Sequence, residues 1–104
     1  MAKFKLAVAP TFKAKVAIPV PGGESPEVEF EFKHRTVAQL DEWSKSLKKG
    51  RKNEEVVSEI LVGWELDDEF SEENIALLCQ NYAGAATALM IAYQQELIGA
   101  RRGN

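Results

Sequence analysis

Two segments decide the fold of the N-terminal third: Phe12-Lys13-Ala14-Lys15-Val16-Ala17-Ile18 and Glu27-Val28-Glu29-Phe30-Glu31-Phe32-Lys33. Between them lies Pro19-Val20-Pro21-Gly22-Gly23-Glu24-Ser25-Pro26. Phe12, Ala14, Val16 and Ile18 alternate with Lys13 and Lys15; Val28, Phe30 and Phe32 alternate with Glu27, Glu29 and Glu31. Alternation with period two puts one face in a core and the other in water, which is the pattern of half-buried strands. The intervening residues are dense in turn formers. The pattern predicts an antiparallel β-hairpin over about residues 12–33, with lysines opposite glutamates on its wet face. Such cross-strand pairs contribute about 0.2–1 kcal/mol each. Upstream, Phe4, Leu6 and Val8 alternate with Lys3 and Lys5, which allows a short additional strand.

After the hairpin the period changes. Thr36-Val37-Ala38-Gln39 matches a capping box, and Val37, Leu40, Trp43 and Leu47 recur at helical spacing. The predicted helix spans about 37–48, with Lys48, Lys49 and Gly50 as a basic last turn and a left-handed stop. A second helix is predicted over about 54–64, with Val56, Val57, Ile60, Leu61 and Trp64 on its apolar face. Ser71, followed by Glu72 and Glu73, is a good start for a third helix over about 72–80. Asn81-Tyr82-Ala83-Gly84 reads as a break. The last helix is predicted over about 85–101, with Arg101 and Arg102 complementing its C-terminal dipole. Its first half, Ala85 to Tyr93, is apolar nearly all round, so it must be covered on every side, by the core or by a partner. The expected fold class is α+β: an N-terminal antiparallel hairpin followed by about four helices in a small bundle.

Composition bounds the rest. The 104 residues suit one domain; 13 basic against 16 acidic side chains give a net charge of −3, and 45% of residues are apolar. A core of this size offsets the ordering cost of about 1–2 kcal/mol per residue only narrowly, which leaves room for self-association. Net acidity argues against a dedicated phosphate-backbone binder. The single cysteine, Cys79, excludes an internal disulfide framework. No apolar run reaches the roughly 18–20 residues of a membrane span, and no export signal is legible, so the expected location is cytosolic.

Signs of catalysis or metal binding are weak. His34 stands between Lys33 and Arg35 at a strand end, with no nucleophile motif, and is read as structural or surface. Cys79 lies among apolar residues with no cationic sequence neighbour to activate it, and is read as a small core residue. The acidic stretch from Glu65 to Glu73 fails as a calcium loop, since counting from Asp67 places Glu72 and Leu78 where Gly and Glu are required. Lys48-Lys49-Gly50-Arg51-Lys52 reads as a helix stop and exposed loop. Trp64 and Phe70 flank the acidic stretch and have two readings: a core corner, or an anchor for a partner helix.

Gly63-Trp64-Glu65-Leu66-Asp67-Asp68-Glu69-Phe70-Ser71-Glu72-Glu73-Asn74 resembles the GW-x-L-x-x-x-F-x-x-x-N core of the small tail assembly chaperones of long-tailed bacteriophages. Leu77-Leu78, Tyr82, the alanine-rich last helix and Phe32-Lys33-His34-Arg35-Thr36 fit the same family, so the resemblance covers residues 12–104. The family often has a proline where this chain has Ala83. The resemblance implies a non-enzymatic protein without cofactor or metal. It implies binding to the long helical tape measure protein during assembly in the cytoplasm of the bacterial host, for a phage or prophage, and absence from the mature virion. Self-association is expected; a membrane partner is not. Trp64, Leu66, Phe70, Met90, Tyr93 and Leu97 are the candidate partner-binding residues. The alternative is a small nucleic-acid-binding or regulatory module using Lys13, Lys15, Lys33, Arg35 and the Lys48–Lys52 run.

Overall fold

The hairpin forms as its alternation predicts. In the computed structural model, which describes residues 4–99, strand β1 (Thr11–Ala17) pairs antiparallel with β2 (Glu27–Lys33). Phe12 lies opposite Phe32, Ala14 opposite Phe30 and Val16 opposite Val28; on the wet face Lys13 meets Glu31 and Lys15 meets Glu29. The Ile18 N–H donates to the Pro26 carbonyl at 3.0 Å and the Gly23 N–H to the Val20 carbonyl at 3.1 Å. Gly22 adopts φ 72°, as the residue after Pro21 must in a type II turn. The additional strand allowed at residues 4–8 does not form: Phe4 and Leu6 are each 92% exposed and Val8 60%.

Helix α1 (Val37–Ser46) starts on the expected capping box. The Gln39 N–H donates to the Thr36 hydroxyl at 3.2 Å and the Thr36 N–H to the Gln39 side-chain oxygen at 2.9 Å. Trp43 is buried, Leu40 and Leu47 are half-buried, and Val37 is exposed. A 3-10 turn (Leu47–Lys49) ends at Gly50, whose φ of 69° stops the helix.

Helix α2 (Asn53–Ile60) is shorter than expected. The predicted run to Trp64 is corrected at Leu61, where the chain becomes strand β3 (Leu61–Trp64) and adds to β2 in the order β1-β2-β3. Phe30 lies opposite Trp64 and Glu31 opposite Gly63, with an irregularity between Glu31 and Phe32 before Leu61 meets Phe32. Without β3 the second edge of β2 would leave backbone donors and acceptors unpaired. Val62 and Gly63 give little helical preference to set against that.

Helix α3 (Glu72–Asn81) is capped by Ser71, whose hydroxyl accepts from the Asn74 N–H at 3.1 Å. Helix α4 (Ala85–Ile98) follows the break and diverges from α3 by 111°. It stops at Ile98 because Gly99 turns left-handed at φ 73°. The expected continuation to Arg101, and the pairing of Arg101 and Arg102 with the helix end, lie outside the described residues. Among the described residues no single helix is long and apolar enough to cross a membrane.

The core lies between the inner sheet face and the helices. Phe30 and Phe32 from β2, Val57 and Ile60 from α2, and Leu89 and Tyr93 from α4 are its largest fully buried side chains.

Candidate functional site

The six candidate partner-binding residues fall in three different places. The first is a groove of about 420 Å³ between the loop end of the hairpin, β3 and α3. Ile18, Val28 and Phe30 line its sheet side, Leu77, Leu78 and Tyr82 its helix side, and Trp64 and Leu66 the segment between them. Leu77 is 52% exposed at its mouth.

The sequence from Gly63 to Asn74 holds that segment in shape through its own side chains. The Trp64 indole N–H donates to the Asp68 carbonyl at 2.9 Å, and the Asn74 amide donates to the Glu69 carbonyl at 2.7 Å. Phe70 meets Trp64 edge to face at 5.1 Å between ring centroids, and Trp64 meets Phe30 the same way at 6.4 Å. The Trp64–Phe70 pair takes the first of its two readings. It is a corner packed against the core, and one side of Trp64, with Leu66, faces the open groove. Phe70 supports Trp64 and does not line the groove. The side chains of Asp67, Asp68, Glu69, Glu72 and Glu73 are exposed along this edge, and none makes an ion pair among the described residues.

The second place is the outer face of α4. Ile91 is 51% and Ile98 68% exposed, and Met90 and Leu97 are half-buried beside them. Each pair repeats after seven residues, the spacing at which one helix presents a seam to another.

The third place is the core, and here the expectation for Tyr93 is corrected: its side chain is fully buried within the fold. Its ring packs on Phe32 at 5.6 Å and edge to face on Trp43 at 5.4 Å. Its hydroxyl donates to the Lys33 carbonyl at 2.7 Å and accepts from Arg35 at 3.0 Å. Burial pushes the Tyr93 phenol up, while the Arg35 guanidinium opposes that shift. Periodicity places Tyr93 on an apolar helix but does not say which neighbour its side chain meets.

Among the described residues, four of the basic groups of the nucleic-acid reading are engaged within the fold. Arg35 donates to the Glu59 carbonyl at 3.0 Å and sits 5.6 Å from the Trp43 ring centroid. Arg51, only 17% exposed, ion-pairs with Glu59 and, at 3.1 Å, with Glu55. Lys13 and Lys15 face glutamates across the sheet. Arg35 and Arg51 are thus parts of the fold, a role their sequence neighbours do not announce. Cys79 is half-buried, and burial pushes its thiol up, away from the thiolate. His34 is half-exposed at the end of β2, its backbone N–H donating to the Pro10 carbonyl at 2.8 Å. No group of three or more His, Cys, Asp or Glu side chains is placed to hold a metal ion among the described residues.

Among the described residues the arrangement is one of exposed apolar surfaces, with no convergent set of reactive polar groups. Compared with known proteins, the sequence matches the family model described as phage tail assembly chaperone over residues 1–104, the whole chain. No curated protein and no solved structure matches it.

Proposed function

This chain belongs to the phage tail assembly chaperone family, and from that premise we propose that it binds the tape measure protein and keeps it soluble while the tail is built. The observation that carries this reading is the outer face of α4, where Ile91 and Ile98 stay half or more exposed beside Met90 and Leu97. A long helical client whose apolar stripe stays wet aggregates. A heptad-spaced seam on a short helix covers two turns of such a stripe, and several copies cover the rest. Each contact is weak alone; repetition along one client multiplies them through effective concentration. Release follows when tube subunits compete for the same stripe.

The work is binding, without catalysis or cofactor. It takes place in the cytoplasm of the bacterial host, and the protein is left out of the mature virion. Capture of the cognate tape measure protein tests the proposal. The wild type is expected to enrich it over an unrelated coiled coil. Ile91→Ser/Ile98→Ser is expected to lose most of that capture with unchanged circular dichroism, because exposed substitutions shift stability by only about 0.5 kcal/mol. Equal capture by wild type and variant would remove α4 as the docking face. No enrichment by the wild type would remove the client.

A further inference from the structure

The groove beside Trp64 and the segment before β1 have complementary chemistry, and neither is satisfied within one molecule. Phe4, Leu6 and Val8 stand out from the fold, 92%, 92% and 60% exposed. They alternate with Lys5 and Ala7, so an extended chain turns all three to one side, about 13 Å from first to last. Residues 1–10 contain Lys3 and Lys5 and no acidic residue. The groove is apolar along Ile18, Phe30, Trp64 and Leu77, and Asp68 lines it from the exposed acidic edge. Its volume of about 420 Å³ falls in the range of about 300–1,000 Å³ typical of binding pockets.

The two features sit at opposite ends of the hairpin. The segment joins β1 at Thr11, which pairs with Lys33; Ile18, Val20 and Pro26, at the loop end, line the groove. A seven-residue strand separates the ends by about 20 Å. We propose that the segment Phe4–Val8 of one copy, bent at Leu6 and Ala7 in the single molecule, straightens and docks in the Trp64 groove of a second copy, its apolar side chains inward and Lys5 along the acidic edge. Donor and acceptor are different patches at opposite ends, and the contact proposed is head-to-tail, one segment to one groove, with no reciprocal exchange between two copies. It propagates as a ring or a row of copies, unlike a two-fold contact that closes at a dimer. This deepens the function proposed above by giving the mechanism of self-association, and it rests on that reading only for its purpose. Such a row keeps the Ile91–Ile98 faces of successive copies linked along one client.

Disulfide trapping without any client tests it. Cys79→Ala/Leu6→Cys is mixed with Cys79→Ala/Leu77→Cys, so that only an intermolecular bond can join the two. Mild oxidation is expected to give the mixed disulfide dimer well above a control that pairs Cys79→Ala/Leu6→Cys with Cys79→Ala/Val37→Cys, since Val37 is 87% exposed and outside the groove. Yields equal to that control overturn the proposal. In sedimentation equilibrium, Phe4→Ser/Leu6→Ser is expected to raise the self-association Kd at least about tenfold, with helicity intact because neither side chain is in the core. An unchanged Kd overturns the proposal, as does a wild type that is monomeric at every concentration. Client capture on α4 is read in a separate assay, so either proposal can fail alone.

Discussion

At the scale of single residues, Tyr93 and Glu59 show how the helices are tied to the sheet. The Tyr93 hydroxyl answers the last carbonyl of β2 and one N–H of Arg35. Tyr93→Phe keeps the packing and removes both bonds; a loss of about 1–3 kcal/mol in urea denaturation is expected. Tyr93→Ser also opens a cavity, with an expected loss of about 3–5 kcal/mol. A Phe variant as stable as wild type would show the hydroxyl to be idle. Glu59 is held below the usual glutamate value of 4.5 chiefly by its hydrogen bond from Arg51, aided by the nearby indole N–H of Trp43. That N–H is buried and has no well-formed hydrogen bond of its own. A carboxylate with a depressed pKa stabilises the fold above its unfolded pKa, and that stabilisation is lost as pH falls through the folded value. The stability gap between wild type and Glu59→Gln is therefore expected to be constant near pH 7 and to close below about pH 4.5. A gap that widens on acidification would contradict the assignment.

At the scale of elements, the break between α3 and α4 sets where the last helix points. A Cβ built on Gly84 would meet the Pro19 ring at 3.0 and 3.3 Å, so the hairpin loop and the start of α4 approach as closely as glycine permits. Gly84→Ala is expected to cost about 1–3 kcal/mol by overpacking. Adding Pro19→Ala should recover part of the loss, and additive effects in a double-mutant cycle would show that the contact is not the cause. The Gly63–Asn74 motif shows a division of labour within one stretch. Trp64, Phe70, Ser71 and Asn74 spend their bonds on one another and on local backbone, while Leu66 and the open side of Trp64 are left to line the groove. The structural part is legible in the sequence because caps and turns act over three to five residues. The groove is not, because Ile18, Val28 and Phe30 reach it from elements distant in the chain.

At the scale of the whole molecule, several of the described charges are paired within the fold. The strand lysines face glutamates, and Arg35 and Arg51 are engaged within the fold. Duplex DNA binding with a steep salt slope is accordingly not expected, and a slope that grows with each added phosphate contact would revive the nucleic-acid reading. Sequence alone determined the hairpin, its register of lysines on glutamates, both helix caps, the Gly50 stop and the break before α4, because alternation, capping and left-handed glycines are local physics. Tertiary structure decided the rest. It turned the end of a predicted helix into β3, because the unpaired edge of β2 outweighs the weak helical preference of Val62 and Gly63. It also sorted an almost uniformly apolar last helix, burying Tyr93 and leaving Ile91 and Ile98 in water. Where every side of a helix is apolar, periodicity carries no orientation, and only the shape of the surface it packs against can supply one.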